Sequence, residues 1–186
     1  VLLSWLGAEA KGFWSASKRA AEAAVRASSR PWAVLRSAPV FGVGDALLDE
    51  VGAWLHRSPF LPRFLEEVPL QALHVGDAAE ALFAPVQGEV EIGGAALSWG
   101  EVLRACARAA GKTLMGPRLS DSTLAWIAHS LGDRDWLKEL VPFDSEALAR
   151  HRLGYTLQAN ALPALLGRAP RPLVDYLENE WAYRAR

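Results

Sequence analysis

Apolar positions in this chain come in short blocks, not in strict alternation. Residues 1–6 (Val-Leu-Leu-Ser-Trp-Leu) and 32–36 (Trp-Ala-Val-Leu-Arg) are brief apolar runs. Between them an alanine-rich segment, 11–28, ends at Ser28-Ser29-Arg30-Pro31. Runs this short predict buried strands, and the alanine content and the breaker predict a helix. Strand, helix, strand with little polar alternation predicts a parallel sheet covered on both faces.

The pattern continues with a loop, Ser37 to Asp45, and an amphipathic helix over 46–56 carrying Leu47, Leu48, Val51, Trp54 and Leu55 on one side. Residues 58–69 are proline-rich and irregular, and 70–75 reads as a short strand. Asp77 is placed to cap a helix over 78–84. Residues 89–92 alternate as a strand ending at Gly93-Gly94. Ser98 and Glu101 form a capping-box signature for a helix over 99–110, with Gly111 as its terminator. One more short strand is expected at 112–117. From Ser120 onward the pattern is helical, over 121–131, 134–140, 144–150, 161–167 and 171–183.

No internal repeat or linker interrupts the pattern, so the 186 residues read as a single unit. Half of the chain (51%) is hydrophobic and 22% is charged, enough for one sizeable core. Lys+Arg 20 against Asp+Glu 21 leaves no excess charge, which disfavours nucleic-acid or membrane-surface binding by electrostatics. A lone cysteine, Cys106, excludes an internal disulfide and a cysteine-based metal cage. An intracellular, cytoplasmic location is expected. No apolar run reaches the roughly 18–20 residues a membrane span needs. The start does not read as a signal peptide, because Glu9 and Lys11 follow at once without a basic leader. Val1 already sits inside a strand pattern with nothing before it to pair with. The expectation is the back portion of a longer chain, with a start-site artefact as the variant.

Four segments, in order, carry a family resemblance. The first is Val1-Leu-Leu-Ser4 followed by Trp14-Ser-Ala-Ser-Lys18-Arg-Ala-Ala-Glu22. The second is Leu35-Arg36-Ser-Ala-Pro39-Val40-Phe41-Gly42. The third is Leu73-His-Val75-Gly-Asp77, and the fourth Gly93-Gly94 to Ser98 and Glu101. Together they resemble the catalytic half of extended short-chain dehydrogenases/reductases (NAD-dependent epimerase/dehydratase-like). The atypical branch fits best, with the complex I accessory subunit and the NmrA-like regulators. The resemblance covers about half of the chain, and the last 66 residues carry no motif that matches.

The resemblance implies an α/β fold: the back half of a Rossmann-like parallel sheet plus a mostly helical C-terminal lobe. Residues 1–45 and 68–84 would form the Rossmann-like part, and 46–67 and 85–186 the lobe. It implies NAD or NADP as cofactor, an unknown small-molecule substrate, and a homodimer through helix 11–28. Ser4 would bind substrate and Lys18 the nicotinamide ribose, with Pro39 and Val40 against the nicotinamide.

Two departures matter. The family's Tyr-x-x-x-Lys reads Trp14-x-x-x-Lys18 here, and an indole N–H can donate but does not titrate. Loss of proton transfer typically costs about 10²–10⁴ in rate. Ser15 and Ser17 are neighbours, but helical geometry turns them away from the Trp14 face. The dinucleotide fingerprint G-x-G-x-x-G is absent too, so the pyrophosphate cradle is not in this chain. Three readings stay open: an enzyme with altered catalysis, a non-catalytic nucleotide-binding scaffold or regulator, and an interaction-only remnant that binds no nucleotide.

Plainer roles compete at each position. Trp14 could plug the catalytic hole as a core or interface aromatic, Ser4 could cap the strand end, and Lys18 could be solvated. Pro39 and Val40 could be a turn proline and a core valine. Arg36 reads as a salt-bridging strand-end residue and Asp77 as a cap. His56, His74, His129 and His151 show no metal spacing. Asp49-Glu50 and Glu66-Glu67 read as solvated charges, and Asp133 and Asp135 as flanks of a turn. Trp54, Trp126, Trp136 and Trp181 read as core.

Overall fold

A computed structural model describes residues 1–9, 12–57, 62–120, 122–124, 126, 148 and 151–181. In chain order its elements are β1 (Leu2–Trp5), α1 (Phe13–Arg26), β2 (Ala33–Ser37), β3 (Val40–Phe41), α2 (Ala46–Arg57), β4 (Pro69–Leu70), β5 (Leu73–His74) and α3 (Val75–Phe83). Then come β6 (Gly88–Ile92), β7 (Leu97–Ser98), α4 (Trp99–Ala109), α5 (Leu162–Leu166) and α6 (Leu173–Tyr176), which runs into a π-helical turn at Leu177–Trp181.

The chain divides into two compact units. One comprises Val1–Gly42, Gln71–Ala96 and Tyr155–Leu173; the other comprises Val43–Leu70, Leu97–Gly154 and Val174–Arg186. Residues 85–96 and 155–173, which the sequence groups with the lobe, belong by their contacts to the first unit.

In the first unit the expected parallel sheet is present, in the order β1-β2-β6. Ser4 lies opposite Arg36 across β1 and β2, and Arg36 lies opposite Glu91 across β2 and β6. The central strand β2 buries Ala33, Val34 and Leu35, as a strand flanked on both sides should. A second parallel pair, β3 with β5, joins Val40 to Leu73 and Phe41 to His74.

The strand expected over 70–75 therefore splits in two. Leu73–His74 pairs with β3 in the first unit, whereas Pro69–Leu70 pairs antiparallel with β7 in the second. Gln71 supplies its carbonyl to the Gly94 N–H and its side chain to the Leu157 N–H, bonds that no regular ladder would leave free.

The cap of α3 is a correction. The N-cap is His74, whose Nδ1 accepts from the Gly76 N–H at 3.0 Å, and the helix already runs from Val75. Asp77 lies inside the first turn, fully buried, and binds Arg168, Arg171 and the Arg171 backbone N–H. Both arginines also reach Glu80, so two basic side chains beyond α5 are clamped to one face of α3.

The second unit packs α2 against α4. Trp54 is fully buried and meets Phe64 edge-on at 5.6 Å, and Trp181 lies so close to Gly52 that a Cβ there would stand 2.9 Å from its ring. The capping box of α4 forms as its sequence signature predicts: the Ser98 hydroxyl accepts from the Glu101 N–H, and the Glu101 carboxylate accepts from the Ser98 N–H. Gly111 ends the helix with φ 67°.

Other expectations change here. Residues 112–117 form no strand; a single bridge joins Arg63 to Arg118 nearby. Trp126 is 63% exposed and is not core, whereas Trp99, not singled out by the pattern, is completely buried with His151 edge-on at 4.8 Å. Glu66 and Glu67 are not free solvated charges, since they pair with Arg104 and Arg118. The helices expected at 134–140 and 144–150, with His129, Asp133, Asp135 and Trp136, fall almost wholly outside the described residues.

Candidate active site

The sequence places its candidate residues around the end of β1, and two clusters form there within the first unit. The first is polar. Glu22, on the sheet-facing side of α1, is fully buried. The Ser4 hydroxyl donates to its Oε1 at 2.5 Å. Arg36 grips both of its oxygens, with Nε at 3.1 Å and Nη2 at 2.7 Å, and Arg26 donates to Oε2 at 2.8 Å. Arg36 also reaches Glu9 and Arg26 reaches Glu89.

Burial alone would raise the Glu22 carboxyl. The hydrogen bonds from Arg36 and Ser4, the Arg36 charge and the Arg26 bond outweigh it and bring the pKa down to about 2. The same carboxylate holds the Arg36 guanidinium well above the usual arginine range. Arg36 is thus the salt-bridging strand-end residue the sequence suggests. Its partner Glu22 appears in the sequence only as the last letter of the α1 motif.

The second cluster is aromatic. Trp5, buried at the end of β1, meets Trp14 at the start of α1 edge-on, with centroids 4.5 Å apart and planes at 74°. Trp5 also tilts against buried Tyr155 at 6.1 Å. Lys18, one turn further along α1, places its ammonium 5.1 Å from the Trp14 ring centroid. Trp14 is 41% exposed, so one side of its indole is open.

Gly7 makes this packing possible. A Cβ at that position would stand 2.4 Å from the Trp5 ring, so only glycine lets the indole lie flat against the turn. Sequence reasoning did not single out Gly7, Trp5 or Tyr155. The glycine that closes the strand was the available signal.

The other candidates are positioned by other elements. Pro39 and Val40, both half-buried, belong to β3 and its approach, where the Pro39 carbonyl accepts from the Leu73 N–H at 3.0 Å. The Lys18 ammonium, with three donors and no carboxylate paired to it among the described residues, suits a ribose diol. The half-buried Val40 side chain offers an apolar contact for a nicotinamide ring. None of these residues offers a pyrophosphate cradle. A cavity of about 310 Å³ beside Arg36 is lined by Glu89, Val90, Glu91, Gln158, Ala159 and Ala161. None of Ser4, Trp14, Lys18, Pro39 or Val40 borders it.

Among the described residues no group of His, Cys, Asp and Glu is arranged to hold a metal ion. No helix among them is long and apolar enough to cross a membrane. Cys106 is buried, and that burial pushes its thiol up to about 12, so it is not a ready nucleophile.

No protein-family model matches the chain. A ceramide reductase of Caulobacter vibrioides is 34% identical over 115 residues, which are 58% of this chain and 36% of that protein. An NADPH-dependent quinone oxidoreductase of Escherichia coli, solved with NADPH, matches in structure with a TM-score of 0.68 at 16% identity, covering 96% of this chain and 64% of that one. The triphenylmethane reductase of Citrobacter sp., solved with NADP(H), matches with a TM-score of 0.63 at 15% identity, covering 95% and 62%. The chain therefore has the Rossmann-like fold of NAD(P)-dependent reductases and epimerases, as its motifs suggest. It spans about a third of the length of the curated relative and under two thirds of these solved chains.

Proposed function

We propose that this chain is the substrate-side part of an NAD(P)-binding protein of the atypical short-chain dehydrogenase/reductase kind, with altered or lost proton transfer at its centre. The observation that carries this reading is the Trp14–Lys18 pair on α1, set beside the end of β1 where Ser4 and Trp5 stand. When bound, the nicotinamide would supply a hydride acceptor or donor. Lys18 holds the ribose hydroxyls, Pro39 and Val40 border the nicotinamide, and Ser4 closes the polar side of the site. Helix α1 carries the contact of a homodimer. The pyrophosphate is held by residues other than these.

The substrate is a small molecule bearing a carbonyl or hydroxyl group. Because one relative bears the name ceramide reductase, a ceramide-type lipid is the first substrate to test. Trp14 supports a second reading, in which the nucleotide is bound and no reaction follows. An indole has no proton to pass at neutral pH, and no other candidate phenol stands at that position of α1.

The test is titration of the native protein with NADH and NADPH, followed by tryptophan fluorescence. Micromolar binding of either supports the reading. No binding at millimolar nucleotide overturns it and leaves the interaction-only alternative.

A further inference from the structure

We propose that Trp14 is a positioning residue: the face of its indole, not a phenol hydroxyl, fixes the Lys18 ammonium. This inference rests on the reading of Lys18 as a ribose ligand and adds what holds it in place. Lysine has four rotatable side-chain bonds and loses much freedom when it is fixed, so an ammonium used for recognition needs a partner. Among the described residues no carboxylate pairs with Lys18. Its ammonium instead lies 5.1 Å from the Trp14 centroid, inside the range of a cation–π contact. The spacing is i, i+4, which brings two side chains to the same face of one helix.

The ring that receives the cation is itself braced. The Trp5 indole meets it edge-on at 4.5 Å and 74°, the arrangement that aromatic quadrupoles favour. Trp5 in turn is 7% exposed, and its ring lies where a Cβ on Gly7 would fall. Gly7, Trp5, Trp14 and Lys18 form a stack in which each member limits the next. A π face differs from a carboxylate in one useful respect: it attracts the cation without consuming its N–H donors in strong hydrogen bonds. The ammonium stays half-exposed and able to donate to a vicinal diol. The substitution that removes the proton donor thus preserves the lysine's geometry, which a small or aliphatic residue would not.

The contact is tested directly by reductive ¹³C-dimethylation of the native protein's lysines, with the Lys18 signal assigned by its loss in Lys18→Arg. Ring current displaces the Lys18 dimethyl resonance upfield in the native protein. Trp14→Leu returns it to the position of an exposed lysine, and Trp14→Phe keeps part of the displacement. Circular dichroism confirms that both variants are folded. On the same proteins, NADPH affinity falls about two- to five-fold in Trp14→Leu, the amount an exposed cation–π contact supplies, and recovers in Trp14→Phe. A Lys18 signal that shows no displacement, or that Trp14→Leu leaves unmoved, overturns the proposal. Equal NADPH affinity in Trp14→Leu and the native protein overturns the positioning role even if the ring contact is real. If no variant binds NADPH while the Lys18 signal still follows the ring at position 14, the contact stands and the nucleotide-binding reading fails.

Discussion

The hydroxyl of Ser4 donates to Glu22 Oε1 at 2.5 Å, joining the end of β1 to the middle of α1 through a carboxylate that no water reaches. Three further charge-assisted bonds from Arg36 and Arg26 complete that carboxylate. A residue at the expected place of a substrate ligand therefore also fixes how α1 lies on the sheet. The two roles divide between atoms: the proton of Ser4 is committed to Glu22, and only its lone pairs face anything else.

That arrangement sets the cost of breaking it. Glu22→Ala removes the carboxylate that Arg36 and Arg26 share, leaves the part-buried Arg36 guanidinium to Glu9 and Glu89, and is expected to destabilise the protein by about 3 kcal/mol. Ser4→Ala removes one hydrogen bond to a charged acceptor, about 1.5–3 kcal/mol. Urea unfolding followed by circular dichroism measures both. Equal, small losses in the two variants would show that the network is not a stability element.

The same carboxylate gives stability a pH signature. Its pKa is about 2 when folded against an ordinary 4.5, so its contribution is complete above pH 4.5 and disappears as pH falls from there through about 2. The shift corresponds to about 3 kcal/mol at neutral pH. Glu22→Gln should flatten the acid limb of the thermal-stability profile, measured by calorimetry between pH 2 and 5.

Asp45 works in the opposite direction. Burial pushes its carboxyl up to about 6, although the Leu47 and Leu48 backbone N–H groups oppose the shift. A group that holds its proton more tightly when folded contributes stability below its unfolded pKa, near 3.8, and loses it as pH rises through about 6. Its Oδ1 accepts from the Leu47 N–H at 2.9 Å at the start of α2, while its Oδ2 is buried with no partner. Asparagine caps a helix as well as aspartate does and carries no charge. Asp45→Asn should therefore raise the melting temperature at pH 7 and leave it nearly unchanged at pH 4. A loss at pH 7 would show that the charge is needed.

How much of this was legible in the sequence depends on the range of the interaction. The capping box at Ser98 and Glu101, the glycine after α4 and the parallel β1-β2 pair were readable, because a few adjacent letters determine them. The α3 cap was misread: an aspartate at a helix start is a common cap, but Asp77 is claimed by Arg168 and Arg171 some ninety residues away. Trp126 is exposed where the pattern expects core, and Trp99 is buried although the pattern does not single it out, for a similar reason. A periodic pattern shows that a helix has an apolar face, not which tryptophan has something to face. Glu22 was visible only as a motif letter, since its meaning lies in Ser4, Arg26 and Arg36 meeting it in space.

Restoring the absent phenol tests the chemistry most directly. In Trp14→Tyr the helix position and the Lys18 neighbour are kept, and a titrating hydroxyl replaces the indole N–H. If the rest of the site is intact, NADPH oxidation in the presence of a ceramide-type ketone should rise over the native protein by a factor of about 10²–10⁴, the usual contribution of general acid catalysis. Steady-state absorbance at the nicotinamide wavelength reads the result, with Trp14→Phe as the control that restores a ring without a proton. A rise in Trp14→Tyr alone would identify position 14 as the missing acid. An equal rise in Trp14→Phe would mean that the indole obstructs the substrate, and the proton would then come from water or another group. Native turnover already as fast as that of Trp14→Tyr would show that this protein has replaced the phenol elsewhere, and the reading of altered proton transfer would fall.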